Sequence, residues 1–107
     1  MNENAKKRLL SMMALARKAG KLTTGEEGCE KAIRSGLALL VFVATDASDN
    51  TKKKFGNKTT FYDVPIYSFF TKEETGRHTG LYTRAVFVIT DENFAGKMVE
   101  IMEGSGL

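Results

Sequence analysis

Two pairs of acids in this chain carry the side chains that phosphoryl chemistry needs: Asp46 with Asp49, and Asp91 with Glu92. Each pair follows an apolar run that reads as a strand, so in a parallel sheet both emerge at the carboxyl edge, where ligands bind in open α/β sheets. Together they could hold Mg²⁺, a hard cation satisfied by carboxylate oxygens, for a metal-dependent nuclease or phosphotransferase. The competing reading is structural, because acids in first helical turns cap the helix and complement its dipole. His78 is the one histidine and Cys29 the one cysteine. With no second imidazole and the thiol on a buried helix face, neither a nucleophile–base pair nor a Cys/His metal knuckle assembles. Gly76 and Gly80, four apart, match neither a dinucleotide fingerprint nor a Walker A loop. No metal and no cofactor is expected.

A different chemistry, recognition of a polyanion, has three candidate sources. Residues 1–54 carry eleven basic and six acidic side chains, whereas residues 55–107 carry five and seven. That asymmetry fits a partner approaching one face, since phosphate neutralisation needs clustered cations. In the first helix Lys6 and Arg17, like Lys7 and Lys18, are eleven residues apart and return to one face, which Lys21 extends. The second source is KLTTGEEGCEKAIRSG. Thr24 and Glu27 have capping-box spacing, while Glu27–Lys31 and Glu30–Arg34 are i,i+4 pairs in the favourable order. Gly28 inside that helix costs about 1 kcal/mol relative to Ala, so a packed neighbour or a ligand approaches the backbone there. Glu26 and Glu27 would repel a bare phosphate from this helix start; a base edge or a protein fits better. The third source is TKEETGRHTGLYTR, in which Thr75 to Tyr82 reads as a loop. Leu81 and Tyr82, flanked by Arg77 and Arg84, combine aromatic and cationic groups on which unpaired bases stack. Lys52–Lys54 reads as a solvated helix start.

These residues need elements to hold them. A stripe of Leu9, Met12, Met13 and Ala16, with Leu10 and Leu15 beside it, predicts a helix over residues 5–19 closed by Gly20. Leu22–Thr24 reads as a short edge strand, and Gly25–Ser35 as a helix burying Cys29, Ala32 and Ile33. Three nearly continuous apolar runs, 38–44, 64–70 and 85–89, read as buried strands of parallel type. Helices between and after them start at Ser48, at Thr71 with Glu74, and at Thr90 or Asp91. The alternation predicts a three-layer α/β/α sandwich with a mostly parallel sheet of about four strands.

At 107 residues and 42% apolar content, the chain reads as one domain, 1–107. A lone cysteine is consistent with a reducing cytoplasm. The longest apolar run, Leu37 to Ala44, is too short for a membrane span, and the basic amphipathic N-terminus carries no secretory cleavage pattern. Composition supports disorder only in the first residues and in the final GSGL.

From ALARKAGKLTTGEEGCEKAIRSG through DASDNTKKK and DVPIY to TKEETGRHTGLYTRAVFVITDENFA, the chain resembles the bacterial YlxQ-type ribosomal-protein-like proteins. Those belong to the superfamily of ribosomal proteins seven-Ae and thirty-e. The resemblance implies an α/β/α sandwich that binds kink-turn RNA. Its pattern at the second helix runs Gly, variable, Asn, Glu, two variable, Lys; here stand Gly25, Glu26, Glu27, Gly28, Cys29, Glu30 and Lys31. Gly and Lys match, Asn and Glu do not. By the same resemblance the Asn reads guanine edges at sheared G·A pairs, the Lys holds RNA, and a loop matching Gly76, Arg77 and Gly80 covers an extruded nucleotide. A carboxylate at Glu27 only accepts hydrogen bonds, so it cannot donate to guanine O6 or N7 but can accept from guanine N1 and N2 or from a cytosine amino group.

The resulting expectation is a non-catalytic, monomeric, cytoplasmic protein of translation that binds structured, ribosomal RNA with altered kink-turn preference. Lys7, Lys18, Lys21, Lys31, Arg34 and Arg77 would contact phosphates. Gly25, Glu26, Glu27 and Gly28 would approach a groove, Gly76 and Gly80 would shape the loop, and Leu81 and Tyr82 would meet an unstacked base. The alternatives are the metal-dependent enzyme above and a module of the translation machinery whose Glu26, Glu27 and Glu30 face a basic protein.

Overall fold

The computed structural model describes residues 1–105; Gly106 and Leu107, and with them part of the GSGL tail, lie outside the described residues. Five helices alternate with four strands: α1 (Glu3–Lys18), β1 (Leu22–Thr24), α2 (Glu26–Arg34), β2 (Leu40–Val43), α3 (Asp49–Tyr62), β3 (Ile66–Tyr67), α4 (Lys72–Thr79), β4 (Val86–Ile89) and α5 (Glu92–Gly104). The sheet order is β1-β4-β2-β3. Leu9, Leu10, Met13, Phe42, Phe87 and Met98 form the core between the sheet and the layer of α1 and α5. Cys29, Ile33, Val41, Phe55, Val86 and Val88 form the core beneath α2 and α3. This is the expected sandwich.

Strand direction departs from expectation, because the sheet is mixed. β4 is antiparallel to both neighbours, and only β2 and β3 run parallel. All four residues of β2 and of β4 are buried. Their unbroken apolar runs record burial on two faces, which a central strand has whichever way it points. The third run is mostly not strand: β3 is a two-residue edge strand, with Phe70 in the core beyond it.

Local signals placed the helices well. Asn2 Oδ1 accepts from the Ala5 N–H at 2.8 Å and opens α1, so the first residues are already ordered into a helix. Leu9, Met13 and Ala16 are buried as their spacing requires, while Leu15 is left 53% exposed. Ser48 caps α3, Asp91 caps α5, and Thr71 with Glu74 forms a reciprocal capping box on α4. The topology fixes what each sheet edge displays. The ends of β1, β2 and β3 and the start of β4 share one edge, here called the lip; the start of β1 and the end of β4 share the other.

Candidate nucleic-acid interface

The lip is built where β1 hands over to α2. The Thr24 hydroxyl donates to the Val86 carbonyl at 2.9 Å, so Thr24 ties β1 to β4 instead of capping the helix. The expected Thr24–Glu27 capping box does not form. The N-cap is Gly25, at φ +87°, and no side chain caps the helix. The first intrahelical bond runs from the Cys29 N–H to the Gly25 carbonyl at 3.0 Å. The N–H groups of Glu26, Glu27 and Gly28 precede it and have no acceptor within the helix, which leaves them for an external one. Arg84, from the segment before β4, lies across this point: a Cβ on Gly25 would sit 2.8 Å from its Nη1. The backbone angle calls for glycine here, and the arginine tip packs into the space that the missing side chain leaves.

Two of the acids near α2's start are already engaged. Glu26 accepts from the Thr51 hydroxyl at 3.0 Å and faces the Lys54 ammonium at 3.5 Å. Lys54 also pairs with Glu30. One lysine of the run read as plain solvation thus clamps both carboxylates. The i,i+4 pairs Glu27–Lys31 and Glu30–Arg34 are not formed; for Glu30 the reason is that α3 packs beside α2 and brings Lys54 between it and Glu26. Among the described residues Glu27 makes no ion pair and is exposed. The tolerated gap at Gly28 has a structural cause, since a Cβ there would meet the Thr23 methyl at 3.2 Å. Cys29 is fully buried, its thiol directed at the Thr23 and Val86 carbonyls. Burial pushes that thiol up to about 12, with Arg84 opposing and Glu26 adding to the shift.

Across the lip, most of the expected loop is helix. α4 continues to Thr79, and Gly80 ends it at φ +79°, so Gly76 and Arg77 are helical and the connection itself is Leu81–Ala85. Gly76 is buried because Tyr82 folds back over it; a Cβ there would overlap the ring and lie 2.9 Å from the Tyr82 Cα. Tyr82 as a residue stays 57% exposed. Leu81 is half-buried against the core. Arg77 pairs with Glu73 at 2.6 Å, and the exposed His78 ring lies 3.2 Å from the Glu74 carbonyl, a surface position.

The cations are dispersed more widely than their spacing implied. Lys6 pairs with Glu74 at 2.6 Å and Arg17 donates to the Thr79 carbonyl, so that face of α1 is used against α4. Lys31 lies about 7.5 Å along α2 from its first residue. Lys21 is at the opposite edge, about 13 Å of strand from Gly25, its carbonyl accepting from Thr90. Lys18 lies three residues before it, and Arg34 ends α2 on the way to the start of β2, so neither shares the lip. Lys7 faces the grooves that α1 makes with α5 and with α4. Arg84, expected only as a flank of Tyr82, stands at the lip against Gly25. Lys54, read as plain solvation, stands near it as well, and no local signal could have shown this because its partners lie on another helix.

The acids do not assemble. Asp46 accepts from the Lys72 N–H at 3.0 Å on the lip side, and Asp91 caps α5 through the Phe94 N–H at 3.0 Å at the far edge. The antiparallel pairing of β2 and β4 separates the two pairs by the length of the sheet. Among the described residues no group of three His, Cys, Asp or Glu side chains could hold a metal ion. This removes the basis for the metal-dependent enzyme.

An open helix start, an overlying arginine and an exposed tyrosine thus share one edge of a small α/β/α scaffold. The chain belongs to the Ribosomal protein L7Ae/L30e/S12e/Gadd45 family, whose model matches residues 7–99. It is 44% identical to the RNA-binding protein YlxQ of Enterococcus faecium over 104 residues, 97% of this chain and 100% of the relative. It is 36% identical to the RNA-binding protein YlxQ of Bacillus subtilis (strain 168) over 92 residues, 86% of this chain and 92% of the relative. A Bacillus halodurans C protein of unknown function superposes with a TM-score of 0.83 at 33% identity, covering 90% of this chain and 97% of that one. The Giardia lamblia 15.5kD RNA binding protein superposes with a TM-score of 0.78 at 22% identity, covering 97% and 92%, a likeness of fold.

Proposed function

We propose that residues 1–107 act as one non-catalytic RNA-binding domain that seats structured RNA on the lip between α2 and the Leu81–Ala85 segment. The observation carrying this reading is the meeting of Gly25 and Arg84. It puts a planar, always-charged donor beside three free backbone N–H groups, with an exposed Tyr82 on the same connection. Such a set can hold phosphate and stack an unpaired base. That the relatives are RNA-binding proteins supports RNA as the polyanion. The ribosomal proteins in the family's description support a ribosomal RNA and a setting in translation; a monomer acting in the cytoplasm completes the proposal. No helix among the described residues is long and apolar enough to cross a membrane.

Within this reading Lys31 and Arg77 contact phosphates beside Arg84, and Gly25 to Gly28 approach a groove. Gly76 and Gly80 shape the turn that presents Tyr82, with Leu81 anchoring it to the core. Lys18, Lys21 and Arg34 reach only an RNA long enough to pass the lip. Glu26 is committed to α3, so Glu27 is the group that reads a base, accepting from guanine N1 and N2. The kink-turn preference is accordingly altered. The test is a salt titration of binding to rRNA fragments, in which log K falls with log salt by about 0.7 to 0.9 per phosphate contact; a flat response refutes the cationic seat. Glu27→Asn gains affinity for a kink-turn with tandem G·A pairs, and no gain refutes the role given to Glu27.

A further inference from the structure

We propose that the furrow between α1 and α5 is a second RNA-binding surface, which takes an unpaired strand leaving the lip. Three hollows run in series along this seam. The first, about 190 Å³, is lined by Asn2, Asn4 and Arg8. The second, about 410 Å³, shares Arg8, Glu100 and Ile101 with it and adds Lys7 and Lys97. The third, about 200 Å³, shares Met12 and Lys97 with the second and adds Asn93 and Phe94. The shared walls set the three side by side along one furrow.

Its chemistry matches a single strand. Lys7, Arg8 and Lys97 are exposed, and among the described residues none of them makes an ion pair. Glu100 is the one acid among the residues lining the three hollows. Unneutralised cations along a groove track a phosphate backbone, while amides and the half-buried Phe94 and Met12 offer polar and flat apolar contacts to bases. Continuity with the lip supplies the path. Lys7 also lines a hollow of about 170 Å³ with Arg77 and His78 of α4, and α4 leads through Gly80 to the segment carrying Tyr82 and Arg84. Of the two acids in that hollow, Glu74 is already paired with Lys6 and Glu3 is exposed in the first turn of α1.

This inference rests on the reading of the lip, and the experiment separates the two. The probes are a hairpin with tandem G·A pairs, either blunt or with an unpaired oligouridine tail on one end or the other, and oligouridine alone. A tail on one of the two ends raises the affinity of the wild-type protein several-fold and steepens the salt slope by about 2, for three added contacts. The variant Lys7→Gln/Arg8→Gln/Lys97→Gln binds the tailed hairpin no better than the blunt one. Arg84→Ala weakens binding of the blunt hairpin and leaves the tail's increment. Photocrosslinks from 4-thiouridine in the tail fall on α1 and α5, a readout on unaltered protein. Equal binding of tailed and blunt hairpins, an increment that survives the triple variant, or crosslinks confined to α2 and α3 overturns the furrow. Unchanged blunt-hairpin binding in Arg84→Ala overturns the lip instead. Should the hairpin not bind at all, oligouridine binding lost in the triple variant still upholds the furrow, and its absence ends it.

Discussion

Replacing glycine by alanine at three helical positions gives one chemical change with three different neighbours. In an open helix interior, alanine is favoured over glycine by about 0.8–1.0 kcal/mol. Gly96 in α5 has nothing within 4 Å of a Cβ, so Gly96→Ala takes that gain whole, which raises the melting temperature by roughly 4 °C. At Gly28 the added Cβ meets one methyl of Thr23 at 3.2 Å, a contact that a small shift relieves, and Gly28→Ala is close to neutral. At Gly76 it would overlap the Tyr82 ring and crowd the Tyr82 Cα at 2.9 Å. Backbone cannot swing aside as a side-chain tip can, so the whole connection must lift. Forcing volume into a filled site costs about 1–3 kcal/mol, which outweighs the helical gain. Gly76→Ala is therefore less stable than Gly96→Ala by about 1–3 kcal/mol. Urea denaturation followed by circular dichroism measures the difference. Because Tyr82 and Arg84 share the displaced connection, Gly76→Ala also weakens RNA binding, and Gly96→Ala does not. Stabilities of the two variants within about 0.5 kcal/mol of each other, with equal RNA binding, would refute the reasoning.

Two further outcomes follow from titratable groups. The Cys29 thiol, pushed up to about 12 by burial, stays protonated in the folded protein, so an aromatic disulfide reagent at pH 8 labels it only at the rate of unfolding. Labelling as fast as that of a free thiol contradicts its burial. With the folded value above the unfolded one, Cys29 contributes stability that is present below about pH 9 and is lost as pH rises toward about 12. Glu74 behaves with the opposite sign. Hydrogen bonds from Lys6 and from the Thr71 N–H hold its carboxyl below the usual carboxylate range, so its contribution is present above about pH 4.5 and is lost as pH falls below that. Lys6→Met flattens the acid limb of the stability profile; an unchanged limb removes the pair as its cause.

Much of the fold was legible because its signals are local. Cap residues, the apolar stripe of α1 and the left-handed glycines act within a few positions of themselves, and Ser48, Thr71 and Asp91 cap where expected, whereas Asn2 starts α1 ahead of the expected residue 5. The failures have one origin. Thr24 had the spacing of a cap, yet its hydroxyl met a better acceptor on β4. Glu30 had a helical partner in Arg34, yet Lys54 of α3 arrived closer. The acids after β2 and β4 looked alike, and only strand direction set them on opposite edges.

The sequence by itself determined the helices apart from the extent of α4, the strands apart from the shortness of β3, that a sheet would be covered on both sides, and which residues could recognise a polyanion. Tertiary structure alone decided which of them meet. It brought Arg84 to Gly25 and Lys54 to Glu26 and Glu30, and it sent Lys21 to the far edge and Lys7 to the α1–α5 furrow. The reason is range: helical periodicity and capping are set by contacts a few residues apart, whereas a site is made by strand order and direction, which join residues some sixty positions apart and leave no mark at either one.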